Sequence, residues 1–255
     1  MGDRSIISWT TKTWNPWRGC TRISSGCAKC YMFTAQERYG RDPNIVTRTG
    51  TWADPIKWQK EAQAAGKQEL VFTCSWSDWF HTDADAWRDD AWAVVKKCPN
   101  LIFQILTKRH ERIADHLPAD WGQGYPNVWL GVSAENQECF DKRTEFLLKI
   151  PAVVHFWSLE PLLGPISFDH HLEGIKALGD SAWMLVGGES GPGFRNMDLN
   201  WARGIREQCN ANDIPWFFKQ SSAPRTEMGT TLDGETIQQY PTPRTVQPIQ
   251  PEVLF

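Results

Sequence analysis

The chain of 255 residues is 41% hydrophobic and carries a net charge of −3. That length supports one large domain with a full core, and the near-balanced charge excludes a general polyanion-binding surface. No run reaches the ~18–20 apolar residues of a membrane span, and the start, MGDRSIISWTTK, lacks the apolar segment of a secretory signal, so the expectation is a cytoplasmic protein with no membrane partner.

The first apolar run covers residues 6–9 and is interrupted by Ser8. A loop with three cysteines follows, leading into a helical stretch at 27–39. Further strands are predicted at 70–74, 101–106, 128–132, 153–157, 183–186 and 216–218. Most are near-continuous apolar runs, the pattern of strands buried on both faces in a parallel sheet. Between them helices are predicted at 83–97, closed by Pro99, at 108–116, ending before Pro118, at 136–149, and at 199–212, where Trp201, Ile205 and Cys209 share one face. The strand–helix order implies right-handed βαβ units and a parallel sheet or barrel. Residues 1–222 read as this body. Residues 223–255, rich in Thr, Gln and Pro with a turn signal at Asp233-Gly234, read as an extension packed on it. Most of the fifteen tryptophans read as core or rim packing, with a minority at strand ends available to stack on a nucleobase.

Active sites of parallel α/β folds lie at the carboxyl ends of the strands. Here those ends are polar: Ser75, Ser77 and Asp78; Thr107 to Arg109; Ser133 and Glu135; Ser158 and Glu160; Gly187, Gly188 and Glu189; Lys219 and Gln220. A serine or glutamate after a strand is often only a helix cap. Six such ends on one rim point to a site, at which Glu135, Glu160 and Glu189 converge to receive an amine or a ribose. The paired glycines permit either a tight turn or close approach of a ligand. The GESGPG that follows is no phosphate loop, because the Lys-Ser/Thr end is missing.

Cys20, Cys27 and Cys30 form a C-x6-C-x2-C motif. Three thiolates are one ligand short of a closed tetrahedral site. Seven cysteines in all, an odd number, fit free or metal-bound thiols better than a disulfide framework. Around the motif, residues 1–50 carry eight basic and three acidic side chains, a net of +5. This suits a phosphate-bearing substrate or an anionic cofactor, or is simply a solvated rim. Three readings of the cysteines stand side by side: a zinc site completed by Cys74 or His81, a [4Fe–4S] cluster with one open iron, or unligated thiols.

A cysteine loop after the first strand of an α/β barrel resembles the radical S-adenosylmethionine superfamily, although the usual first gap there is three residues. The phrases WNPWRGC, SSGCAKCY, WLGVSAENQ, SLEPLLGPI, VGGESGPGFRNMD and WFFKQ resemble a phage and prophage branch and run from Trp14 to Gln220. The resemblance implies a partial (β/α)6 TIM-like barrel with parallel strands and a C-terminal extension. It implies that Cys20, Cys27 and Cys30 ligate the cluster, whose open iron chelates S-adenosylmethionine. Reductive cleavage then gives a 5′-deoxyadenosyl radical that abstracts a substrate hydrogen, with electrons from a donor such as flavodoxin or ferredoxin. Ser75, Ser77 and Asp78 stand where the superfamily often has GGE. With Ser133, Glu135, Gly187 and Gly188 they are expected to bind the cofactor. Asn15, Trp17, Glu160, Glu189, Arg195, Lys219 and Gln220 are expected on the substrate side. Members of this branch resemble enzymes that remodel hypermodified thymine in phage DNA, for example by isomerising an N-linked glycyl group to a C-linked one. A nucleic acid or modified nucleotide is thus the implied substrate. A radical enzyme on a peptide or metabolite, and a zinc-stabilised DNA-binding protein, are the alternatives.

Overall fold

The computed structural model describes residues 5–246, so the last nine residues of the expected extension lie outside it. Seven parallel strands form one curled sheet, a half-barrel. They are β1 (Lys12–Trp14), β4 (Glu69–Thr73), β5 (Leu101–Thr107), β6 (Val128–Ser133), β7 (Val154–Leu159), β8 (Ala182–Gly187) and β9 (Trp216–Gln220), adjacent in that order. The sheet therefore winds one way and holds one strand more than a six-unit barrel. A small antiparallel ribbon, β2 (Trp17–Arg18) with β3 (Thr47–Arg48), stands apart from it. The helices are α1 (Tyr31–Arg38), α2 (Asp54–Ala64), α3 (Asp85–Lys96), α4 (Gln137–Leu147), α5 (Leu172–Lys176) and α6 (Leu199–Ala211).

Side chains alternate across the sheet as the two-residue strand period requires. Val71, Phe103, Leu130, Trp157, Met184 and Phe218 belong to the larger core, which includes buried residues of α2, α3, α4 and α6. Phe72, Trp129, Phe156, Trp183, Leu185 and Phe217 form a second, separate core on the opposite face. Both faces are apolar, which is why the strands read as near-continuous runs.

Two predicted elements differ. Residues 6–9 are not a strand. The segment turns, Thr10 N–H donating to Ile7 O at 3.2 Å, and Trp9 is buried against Phe72 with ring centroids 4.7 Å apart. Its apolar character serves the second core; the first strand is the short, mixed Lys12–Trp14. Residues 108–116 form two 3-10 turns, His110–Arg112 and Ala114–His116, instead of an α-helix. Here the Lys108 and Arg109 amides are held by Asp78 Oδ2 at 2.9 Å and Thr107 Oγ1 at 2.8 Å, bonds that draw the chain out of a regular helical start. The helix expected from residue 27 begins only at Tyr31, after a 3-10 turn at Ser25–Cys27.

After β9 the chain returns along its free edge. Phe218 N–H donates to Ile237 O at 2.9 Å and Gln239 N–H to Trp216 O at 3.1 Å. This covers an edge that would otherwise present unpaired amides. Tyr240 stacks on Trp183 at 5.4 Å, tying the return to the second core.

Candidate active site

One cavity of about 660 Å³ opens at the carboxyl ends of the strands. Cys20, Cys27 and Cys30 line it together with Ser75, Ser77, Asp78, Lys108, Ser133, Ser158, Glu160, Glu189 and Lys219. Residues far apart in sequence thus share one wall. Trp9, Phe72 and Leu106 add apolar lining where the cavity meets the second core.

The cysteine loop is held by bonds from several strand ends. Gly19 N–H donates to Trp76 O at 3.0 Å, and Ser77 Oγ donates to Gly19 O at 2.5 Å. Cys20 N–H donates to Pro43 O at 2.9 Å. Gly26 N–H donates to Glu135 Oε1 at 3.2 Å. A Cβ at Gly26 would lie 3.0 Å from the Glu135 carboxyl carbon, so the glycine permits this approach. Glu135 is fully buried and paired with Arg143 Nη1 at 2.8 Å, which also donates to Ser133 O at 2.6 Å. Burial pushes the Glu135 carboxyl up, but Arg143 and Lys108 outweigh it and hold the pKa at about 2. Glu135 therefore serves the loop as a buried anchor.

Burial pushes the Cys20 thiol up to about 12, with the Asp78 carboxylate adding to the shift, and burial raises Cys30 as well. Ligation to a metal removes such protons. Among the described residues no three His, Cys, Asp or Glu side chains are grouped closely enough for one metal ion. His81 is engaged elsewhere, Nδ1 accepting from Asp83 N–H at 3.2 Å and Nε2 bonding Thr21 Oγ1 at 3.2 Å. The three motif thiols nevertheless share the cavity wall, and Cys27 acts electrostatically on both others. Three cysteine thiols facing one cavity are a donor set that an iron–sulfur cluster could use. Cys74 lines the same cavity with a left-handed φ of 55°, a strained conformation for a residue with a Cβ, where the chain turns from β4 toward Ser75.

Other sequence-predicted residues take specific places. Asp78 is engaged by three donors: Oδ1 accepts from Phe80 N–H at 2.9 Å and Thr107 Oγ1 at 2.6 Å, and Oδ2 from Lys108 N–H. It links the ends of β4 and β5. Asn15 is buried and joins Ser75 Oγ at 2.9 Å and Trp76 N–H at 2.8 Å. Trp17 is buried in the core with its indole N–H on Asp78 O at 3.0 Å. Glu160 pairs with Lys219 at 2.6 Å inside the cavity. Glu189 is held by the Arg195 guanidinium, whose Nε lies at 3.0 Å. A Cβ at Gly187 would meet the Glu160 carboxyl carbon at 3.1 Å, and one at Gly188 would meet Ser222 N at 2.3 Å. The glycines thus admit the protein's own chain. Gln220 is buried, donating to Gly188 O at 3.1 Å and accepting from Glu227 N–H at 2.6 Å. Lys108 and Lys29 also line the cavity, two cations not among the expected site residues. Lys108 sits in the predicted strand-end segment Thr107 to Arg109, so its position was the available signal.

The profile of the family described as protein of unknown function, DUF5131, matches residues 4–241. The chain belongs to that family. No match is found among curated proteins. Two similar solved structures are of spore photoproduct lyase. One is a double mutant with bound AdoMet and dinucleoside spore photoproduct, at 13% identity, TM-score 0.46, covering 78% of this chain and 61% of that one. The other is a tyrosine-to-phenylalanine mutant at 14% identity, TM-score 0.44, covering 75% of this chain and 58% of that one. This DUF5131 chain spans about three fifths of the length of those structures.

Proposed function

We propose that this chain is a radical S-adenosylmethionine enzyme acting on a nucleobase, with Cys20, Cys27 and Cys30 holding a [4Fe–4S] cluster at the cavity rim. The observation that carries the reading is the convergence of the three thiols on the cavity where the parallel strands end. When bound, the cluster and S-adenosylmethionine supply a 5′-deoxyadenosyl radical able to take a hydrogen atom from carbon.

The chain's own side chains then divide the work. Lys108 and Lys29 offer cations to a carboxylate or phosphate. The Ser133 and Ser158 hydroxyls, neighbours across β6 and β7, offer hydrogen bonds to a ribose or base. The Glu160–Lys219 pair sets polarity on the substrate side, with Glu189 fixed by Arg195. Trp9 and Phe72 exclude water below. Asp78, Asn15, Trp17 and Gln220 hold the frame. The substrate in this reading is a hypermodified thymine in phage DNA, rearranged for example from an N-linked to a C-linked glycyl form. Such a base is extruded to reach the cavity, at roughly a few kcal/mol. A flavodoxin or ferredoxin in a reducing cytoplasm serves as the electron donor.

Mass spectrometry of nucleosides from modified phage DNA, before and after treatment with the reduced, reconstituted enzyme and S-adenosylmethionine, tests the substrate. Conversion of one modified thymidine to an isomer of equal mass is expected. An unchanged nucleoside pool across several modified DNAs, with 5′-deoxyadenosine still released, would refute the nucleobase assignment and favour a peptide or metabolite.

A further inference from the structure

We propose that the surface formed by Arg18, Arg41, Tyr39 and Trp76 is the approach track for a single nucleic-acid strand whose reacting base enters the cavity. The inference rests on the nucleobase reading above and names the surface through which that site receives its substrate.

Trp76 belongs to the cavity wall. Tyr39, 63% exposed, stacks on it with ring centroids 6.3 Å apart and planes inclined by 30°. The Arg41 guanidinium lies 5.5 Å from the Tyr39 ring centroid. Arg18, half-buried, directly precedes Gly19, whose N–H donates to Trp76 O at 3.0 Å, and so stands at the Trp76 end of this surface. The two arginines thus flank the aromatic pair, and neither forms an ion pair among the described residues. Arg48, on the neighbouring strand of the ribbon, differs, lying over Trp52 at 3.8 Å with Asp90 at 3.9 Å. The backbone fixes the order of the parts. Gly19 N–H bonds Trp76 O and Cys20 N–H bonds Pro43 O, so Arg18 and the segment after Arg41 are clamped beside Trp76 and the first motif cysteine.

From outside to inside the sequence is cation, exposed aromatic, aromatic, cavity. Uncompensated guanidiniums attract phosphates and release their counterions. An exposed tyrosine gives a sequence-tolerant platform for a base. A phosphodiester strand, with charge outside and a planar base at each step, matches both. An acidic peptide satisfies the arginines and leaves the aromatic pair unused. A free nucleotide fills the cavity and has no need of contacts beyond it. The positive excess of residues 1–50 in a chain of net charge −3 places the attraction locally, on the side where the cysteines are.

The test uses the reconstituted full chain and fluorescein-labelled single-stranded DNA of about ten nucleotides, read by anisotropy between about 50 and 200 mM salt. The Arg18→Gln/Arg41→Gln double variant is expected to lose at least ~10-fold in affinity at low salt. Its log–log salt slope is expected to shrink by about 1.4, two phosphates at ~0.7 each. Tyr39→Ala is expected to lose ~5-fold or more with little change in slope. Arg203→Gln, whose side chain pairs with Asp233 at 2.7 Å, is the control expected to bind like wild type. Wild-type affinity in the double variant would overturn the proposal. So would displacement of the strand by polyglutamate as readily as by unlabelled DNA. Iron content and circular dichroism of each variant separate this outcome from misfolding. A protein that binds DNA through Arg18 and Arg41 yet makes no 5′-deoxyadenosine would keep the track and refute the radical reading; the reverse pattern would refute the track alone.

Discussion

Arg143→Met removes the positive partner of a carboxylate that has no access to solvent. Glu135 is fully buried, Arg143 lies 2.8 Å from it, and the same Nη1 holds Ser133 O at 2.6 Å. Breaking one side of a buried ion pair costs about 3–5 kcal/mol, because the remaining charge is left desolvated. For a chain of this size each kcal/mol shifts the melting temperature by about 2–4 °C, so a fall of roughly 6–20 °C is expected. The pH dependence identifies the cause. In the wild type the Glu135 pKa, at about 2, is depressed. Its contribution is therefore fully present above the unfolded value of about 4.3 and is lost as pH falls toward 2. In the variant burial dominates and raises the carboxyl, so the penalty is relieved as pH falls through the raised value. The gap between the two proteins should narrow from pH 7 to pH 5, measured by urea midpoints at each pH. Because Glu135 also holds Gly26, iron loading should fall as well. A loss below about 1 kcal/mol at pH 7, or a gap independent of pH, would refute the reasoning.

Gly131→Ala places a Cβ 2.6 Å from the Phe156 ring, which is packed by Trp9 and Trp183; a loss of about 1–3 kcal/mol is expected in urea unfolding. His155, buried on β7, has its pKa lowered by burial to about 4. The unfolded chain takes up that proton first, so wild-type stability should decline as pH falls from about 6.5 toward 4, and His155→Gln should flatten that decline in urea midpoints. Gln220→Ala removes bonds to Gly188 O and Glu227 N–H, so limited proteolysis should cut after residue 223 faster than in wild type, with the half-barrel left intact.

The strands were legible because both faces of the sheet are apolar, so β5 to β9 appear as near-continuous apolar runs. β1 was not, since three residues with Lys12 at their head carry no such signal, while the stronger run at 6–9 fills the second core through Trp9. The rim of polar strand ends was legible from position alone. The direction of each side chain was not. Glu135 and Asp78 have the charge of ligand-binding residues but are taken up by backbone amides and Arg143 or Thr107, contacts most of which reach across 8 to 109 residues of sequence. Trp17 sits beside the cysteines in sequence and reads as a substrate-side residue. Its indole is turned into the core by Asp78 O, a contact 61 residues away.

In the proposed function Cys20, Cys27 and Cys30 together hold one cluster. Anaerobic reconstitution of the full chain with iron and sulfide, followed by metal analysis and electron paramagnetic resonance of the reduced protein, tests it directly. About four irons per chain and a reduced [4Fe–4S] signal are expected. That signal should change on adding S-adenosylmethionine. It should be lost in Cys20→Ala, Cys27→Ala and Cys30→Ala, and kept in Cys98→Ala and Cys209→Ala. A colourless protein with a single zinc, or a cluster indifferent to those three substitutions, would contradict it.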